Sequence, residues 1–189
     1  MVDLIRQYFD KQALLGDSEW DMFKAKLIER KFNKGDFIIK EGEVENYLSF
    51  LVQGFVRNFH ITKKGDEITI EFVSGGFASV YDSFISRDKS LVYMEALDNV
   101  LMLSISYYDL NELYQMSKTG ERLGRLNAES YLLYMFKRRL SLLTLSAEER
   151  YLELINENPK LLHYAKLQHI ASYLGIKPES LSRIRKNIK

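Results

Sequence analysis

The side chains with the clearest chemistry lie in residues 160–189. Glu179, Ser180 and Arg183 fall on a predicted helix that opens at Pro178. Residues three and four apart share one face of a helix, so a carboxylate, a hydroxyl and a guanidinium stand together there. That set suits the edges of base pairs in the DNA major groove. An Arg fork spans guanine O6 and N7, and a Glu accepts from the cytosine amino group or steadies the fork. His169, Lys177, Ser182, Arg185, Lys186 and Lys189 surround the trio, and such residues hold phosphate oxygens and set orientation on a duplex.

The elements needed to position them are legible nearby. Ile170, Ala171 and Leu174 form the inner face of a first helix, and Gly175 stands where the chain must turn. Glycine accepts the positive φ that such a turn needs. Ile176 plugs between the helices, Pro178 suits a first helical turn, and Leu181 and Ile184 bury the second helix. The pattern predicts a helix–turn–helix. The competing reading is a helical hairpin with a solvated polar face. Charge distribution separates the two. The 189-residue chain has 27 Lys and Arg against 26 Asp and Glu, net +1. Residues 160–189 carry seven of the bases and one acid, +6, which leaves −5 on the rest. A basic segment on an acidic body points to an anionic partner.

Upstream, residues 112–145 contain no proline and predict a long helix. Leu126, Leu133 and Leu140 are seven apart, and Phe136 and Leu143 continue the stripe, a heptad-like seam suited to pairing with a second copy. The alternative is a helix packed within one subunit. Ser146 and Glu149 form a capping box for a further helix that stops before Pro159. Near the N-terminus Leu4, Ile5, Tyr8 and Phe9 predict one helix, and Ser18 as N-cap with Trp20, Phe23 and Leu27 predicts another. Between Lys31 and Ile105 the periodicity changes. Strands are predicted at 37–39, 47–52, 55–61, 68–73, 92–96 and 100–105, separated by Gly-containing turns. Such spacing suggests a sandwich, jelly roll or small barrel.

Other classes are excluded or weakened. Apolar residues make up 46% of the chain and aromatics 13%, which argues against disorder. There is no cysteine, so disulfides, thiolate catalysis and Cys-ligated metal are absent; a reducing, cytoplasmic setting fits. No apolar run approaches the roughly 18 residues of a membrane span, and no secretory leader is expected. His60, His163 and His169 show no metal-ligand spacing, so no metal site is expected. Convergent catalytic groups are lacking, and the chain reads as a non-enzyme.

Three blocks carry a family resemblance. Lys34-Gly35-Asp36-Phe37-Ile38-Ile39-Lys40-Glu41-Gly42-Glu43 and Phe50-Leu51-Val52-Gln53-Gly54-Phe55-Val56-Arg57 resemble the β-roll blocks of the Crp/Fnr (catabolite activator-like) transcription regulators. Pro178-Glu179-Ser180-Leu181-Ser182-Arg183-Ile184 resembles their recognition helix. The resemblance implies an α+β fold: a double-stranded β-roll (jelly-roll-like) flanked by short helices over 1–111, a dimerisation helix over 112–145, and a helix-turn-helix domain over 146–189 with its wing short or absent. It implies a homodimer on a pseudo-palindromic double-stranded DNA site, RNA polymerase as a further partner, a hinge near Leu145–Ser146 and no membrane association. It assigns base reading to Glu179 and Arg183, with Pro178 where many relatives have Arg. Nucleotide-binding relatives hold a ribose hydroxyl with Glu and a cyclic phosphate with Arg-Ser. Here Ser79 replaces the Glu, and Lys89-Ser90 with Arg87 nearby replaces the pair. Lys is a point charge rather than a fork, which argues against cyclic AMP and leaves Ser79, Arg87, Lys89 and Ser90 as a candidate pocket for another small ligand. No cofactor is expected. The alternative from another class is a cyclic-nucleotide-binding-like sensor or interaction module acting without DNA.

Overall fold

A computed structural model describes residues 1–188. Lys189, expected to contact phosphate, lies outside the described residues. Two short helices, α1 (Val2–Asp10) and α2 (Asp17–Ala25), lead into strands β1 (Ile28–Phe32), β2 (Phe37–Ile39), β3 (Tyr47–Gln53), β4 (Val56–Ile61), β5 (Glu67–Val73) and β6 (Gly76–Ala78). Helix α3 (Tyr81–Ser86) interrupts before β7 (Tyr93–Ala96) and β8 (Val100–Ser106). Then come α4 (Tyr107–Met116), the long α5 (Lys118–Thr144), α6 (Ala147–Glu157), α7 (Leu161–Tyr164), α8 (Leu167–Tyr173) and α9 (Pro178–Asn187).

The strands form two antiparallel sheets, β1-β8-β3-β6 and β2-β7-β4-β5. Between them lies a core of Ile39, Leu51, Val56, Ala78, Val80, Met94, Ala96, Val100 and Met102. Alternating strand residues supply it, as a two-sheet sandwich requires. A second core packs α1, α2, α4 and the first turns of α5 around Leu48, Phe50, Leu103 and Ile105. Ile5 and Phe9, four residues apart on α1, are buried there. The close approaches need glycine at two points. Gly54 turns β3 into β4 at φ +98°, and a Cβ there would stand 2.6 Å from the Asn99 carbonyl oxygen. A Cβ on Gly124 would lie 2.2 Å from the Tyr114 hydroxyl, so Gly124 lets that ring lie on α5.

The elements differ from expectation in instructive places. β1 reads Ile-Glu-Arg-Lys-Phe and forms an edge strand against β8; its charged run conceals it from hydrophobic alternation. The long helix begins at Lys118 rather than 112 because Ser117 is extended and caps it, accepting from Gly120 N at 2.8 Å. The stretch before it is α4, capped by Ser106. Helix α2 starts two residues earlier than Ser18 would set, with Gly16 at its N-cap donating its N–H to the Glu19 carboxylate. At Ser146 the capping box forms: Ser146 accepts from Glu149 N at 3.2 Å and its own N–H donates to the Glu149 carboxylate at 2.7 Å.

The seam residues of α5 face outward. Leu133 is 61% exposed, Phe136 63% and Leu143 74%, with Leu140 also exposed and Leu126 half-buried. Leu132 and Leu142 are exposed as well. Helices α6–α9 form a C-terminal unit around Tyr151, Leu154, Leu161, Ile170, Ala171, Leu174 and Leu181, and this core is continuous with Phe55, Phe72 and Leu97 of the sandwich.

Replacing Gly54 with Val should lower stability by about 1–3 kcal/mol, through positive-φ strain and the clash with Asn99. Urea denaturation of the two proteins measures it; an unchanged midpoint would contradict the turn geometry.

Candidate functional site

Helix α8 ends in a Schellman motif. The Ile176 N–H donates to the Ala171 carbonyl and the Gly175 N–H to that of Ser172, both at 3.0 Å, with Gly175 at φ +69°. The left-handed residue satisfies the last carbonyls and reverses the chain within four residues. Pro178 occupies the first turn of α9, where no N–H is required. Leu181 is fully buried, and Ile184 packs on the same core. That fixes the opposite side of α9 outward. Glu179, Arg183 and Lys186 are exposed there, with Ser180 and Ser182 at its margins; Arg185, one turn beyond Leu181, is exposed beside it, and Lys177 is exposed just before the helix. The Arg183 guanidinium donates to Ser180 Oγ at 3.4 Å. One helix face thus carries a carboxylate, two hydroxyls and cations.

His169 does not belong to that face. It is 4% exposed, on the side of α8 that meets β5, with Nε2 3.5 Å from the Glu67 carboxylate. Burial, and then the nearby Arg57 charge, push its pKa down to about 4. A neutral buried imidazole cannot serve as the phosphate contact expected from sequence. Its helical neighbours Ile170 and Ala171 face the core of the C-terminal unit, and that rotation carries His169 onto the sandwich.

The contact that buries His169 was not legible in the sequence. Ser172 Oγ accepts from the Thr69 N–H and donates to the Glu67 carbonyl, both at 2.9 Å. A single hydroxyl therefore satisfies two backbone groups on the free edge of β5. Arg57, 1% exposed, reaches Glu67 at 2.5 Å and Glu95 at 3.0 Å and lies over the Phe59 ring. Polar satisfaction is incomplete here: Arg57 Nε and Nη1, Thr69 Oγ1 and His169 Nδ1 are buried without hydrogen-bond partners.

Two arginines fasten the other end of α8. Arg138 of α5 donates to the Tyr173 carbonyl and lies 3.7 Å from the centroid of its ring. Arg150 of α6 donates to the Leu174 carbonyl at 2.8 and 3.2 Å and to the Leu145 carbonyl at 2.5 Å. Cations at a helix C-terminus meet its unpaired carbonyls and the negative end of its dipole. Nothing in the residue types marks these arginines off from surface ones.

The four residues expected to form a ligand pocket do not converge. Ser79 Oγ accepts from the Ser49 N–H at 3.1 Å and faces the Ala78 and Tyr47 carbonyls. Ser90 Oγ donates to the Val92 carbonyl, and its backbone pairs with Gly42 and Glu43. Arg87 lies on Tyr107 and donates to the Glu45 carbonyl at 2.5 Å and Asn46 Oδ1 at 2.6 Å. Lys89 points to solvent. The hydroxyls and the fork are consumed in fixing the turns around α3. Between the sheets, Met94, Ala96 and Met102 are fully buried and fill the space.

Residues 29–117 match the family described as the cyclic nucleotide-binding domain. A comparison with curated proteins finds no match. Solved structures share the fold over most of the chain. The c-di-GMP-responsive global regulator CLP of Xanthomonas campestris is 18% identical, with 92% of this chain and 91% of that one covered and a TM-score of 0.69. FixK2 of Bradyrhizobium japonicum is 20% identical, covering 86% and 84%, with a TM-score of 0.71. A Crp/Fnr-family regulator from Eubacterium rectale is 17% identical, covering 92% and 83%, with a TM-score of 0.72. These likenesses establish the fold: an antiparallel β-sandwich followed by a long helix and a small helical unit.

Because the His169 pKa is depressed when docked, the unfolded chain takes up the proton first. Its contribution to stability is intact above about pH 6.5 and is lost as pH falls toward 4. The thermal midpoint of the native protein should therefore decline relative to that of His169→Gln between those pH values. Parallel curves would show that His169 is solvated.

Proposed function

We propose that this chain is a homodimeric, sequence-specific DNA-binding transcription regulator of the Crp/Fnr type. The observation that carries the reading is the outer face of α9, where Glu179, Ser180 and Arg183 share one side of a helix held out by a Schellman turn and a buried Leu181. The +6 charge of residues 160–189 supports it, as does a fold shared with the global regulator CLP and with a Crp/Fnr-family transcriptional regulator. In this reading residues 1–111 are the sensor, the region 112–145 holds the dimerisation helix, and 146–189 read DNA. Glu179, Ser180 and Arg183 face base edges; Lys177, Ser182, Arg185, Lys186 and Lys189 hold phosphates.

The exposed stripe on α5 supports pairing. Leu133, Phe136, Leu140 and Leu143 are too large a continuous apolar surface for a lone helix in water. Burying the stripe against its symmetry mate sets two α9 helices about one duplex turn apart, roughly 34 Å, on a pseudo-palindromic site. The contact of α8 with β5 supplies one of two arrangements. An effector that prefers either arrangement shifts the balance. With Ser79, Arg87 and Ser90 engaged in turns and Lys89 turned to solvent, that effector is not held as a cyclic nucleotide is by a Glu and an Arg-Ser pair.

Selection of bound DNA from a random pool with the full chain tests the reading directly. Binding should weaken steeply with salt as counterions are released; enrichment of no sequence would overturn it. Arg183→Ala should cost about 1–3 kcal/mol and relax one base position. Leu133→Glu combined with Leu140→Glu should shift sedimentation to the monomer and abolish binding to the two-half-site duplex.

A further inference from the structure

A cavity of about 360 Å³ opens where the sandwich, α5 and the C-terminal unit meet. Its wall brings together Glu71 of β5, Tyr81 of α3, Tyr131 and Tyr134 of α5, Glu157 of α6 and Tyr173 of α8. The Tyr81 and Tyr131 rings stack with centroids 5.0 Å apart, and Tyr134 lies 6.1 Å beyond. Among the described residues lining it there is no Lys, Arg or His; its ionisable groups are the carboxyls of Glu71 and Glu157 and phenols whose pKa values burial raises. Glu71 accepts from Asn58 Nδ2 at 3.2 Å, and no ion pair joins it to a described cation.

These features select by charge. Aromatic faces carry negative potential and attract a cation within about 6 Å of the ring centre. A carboxyl set among them adds a charge when it ionises, and a bound cation favours that ionised form. A phosphate has the opposite requirement, since it needs cationic or N–H donors. The wall offers phenol hydroxyls and carboxylates instead.

We propose that this cavity binds a small organic ammonium ion, its head between Glu71 and the tyrosine rings and its apolar body toward Phe72 and Leu154. The state of Glu71 agrees: burial pushes its carboxyl up to about 7, as befits a carboxyl without its counter-ion. The proposal deepens the regulator reading by naming the chemical class of the effector. Glu71 belongs to the sandwich, whereas Glu157 and Tyr173 belong to the C-terminal unit, so an occupant touches both and its affinity depends on their docking.

The test is calorimetric titration of the full chain, without DNA, with tetramethylammonium, choline and propylammonium. The uncharged isostere of choline, 3,3-dimethylbutan-1-ol, and cyclic AMP are titrated alongside. At least one ammonium ion should bind saturably, with choline favoured over its isostere by about tenfold. Glu71→Gln and Tyr131→Leu should each weaken binding roughly tenfold, while Tyr131→Phe, which keeps the ring face, should retain it. Circular dichroism of each variant confirms folding, and the Tyr131 pair keeps the test intact if Glu71→Gln fails to fold. The proposal is overturned if no ammonium ion saturates by about 10 mM, if the alcohol binds as tightly as choline, or if cyclic AMP displaces the cation. DNA is absent from the assay, so such a failure leaves the DNA-binding reading to be judged by the random-pool selection.

Discussion

The free edge of β5 is the constraint on which the arrangement depends. An edge strand presents unpaired N–H and C=O groups, and an uncovered one recruits other chains. Here Ser172 takes both the Thr69 N–H and the Glu67 carbonyl, and Phe72 continues the apolar core of the C-terminal helices. Sheet order places β5 outermost, so the sandwich needs a cover there and α8 supplies it. The position of α9 follows, because the Schellman turn ties it to α8 at a fixed angle. The edge of the sandwich thus decides where α9 points.

Much of this architecture was legible in the sequence, and the reasons are physical. Ser146 and Glu149 announced a helix start because the capping box is a local exchange of two hydrogen bonds. Gly175, Ile176 and Pro178 announced the turn because each suits a backbone requirement that few residues meet. The strands with apolar alternation were legible, whereas β1, with three charged residues in five, was not. The α5 seam was legible as a stripe. Its start was not, since Ser117 ends one helix and caps the next without a glycine or proline to mark the break.

The site divided along a similar line. The outer face of α9 follows from helical periodicity alone. His169 was misplaced because its type suits both a phosphate and a buried interface, and only the packing of α8 on another unit decides between them. Ser79, Ser90 and Arg87 were grouped by proximity in sequence, yet their polar atoms close local turns. The partners that matter most at the docking contact, Ser172 with Thr69 and His169 with Glu67, bring distant segments together. No local pattern encodes such pairings.

Arg150 has a mechanical consequence. Its guanidinium bonds the carbonyl ending the α5 segment, at Leu145, and the one ending α8, at Leu174. Turning the C-terminal unit at that junction means surrendering the charge-assisted hydrogen bond to Leu145, worth about 1.5–3 kcal/mol. The junction is therefore a geared joint rather than a loose one. The end of α5, α6 and α8 move as one lever, with the β5 edge as its stop and α9 at its tip.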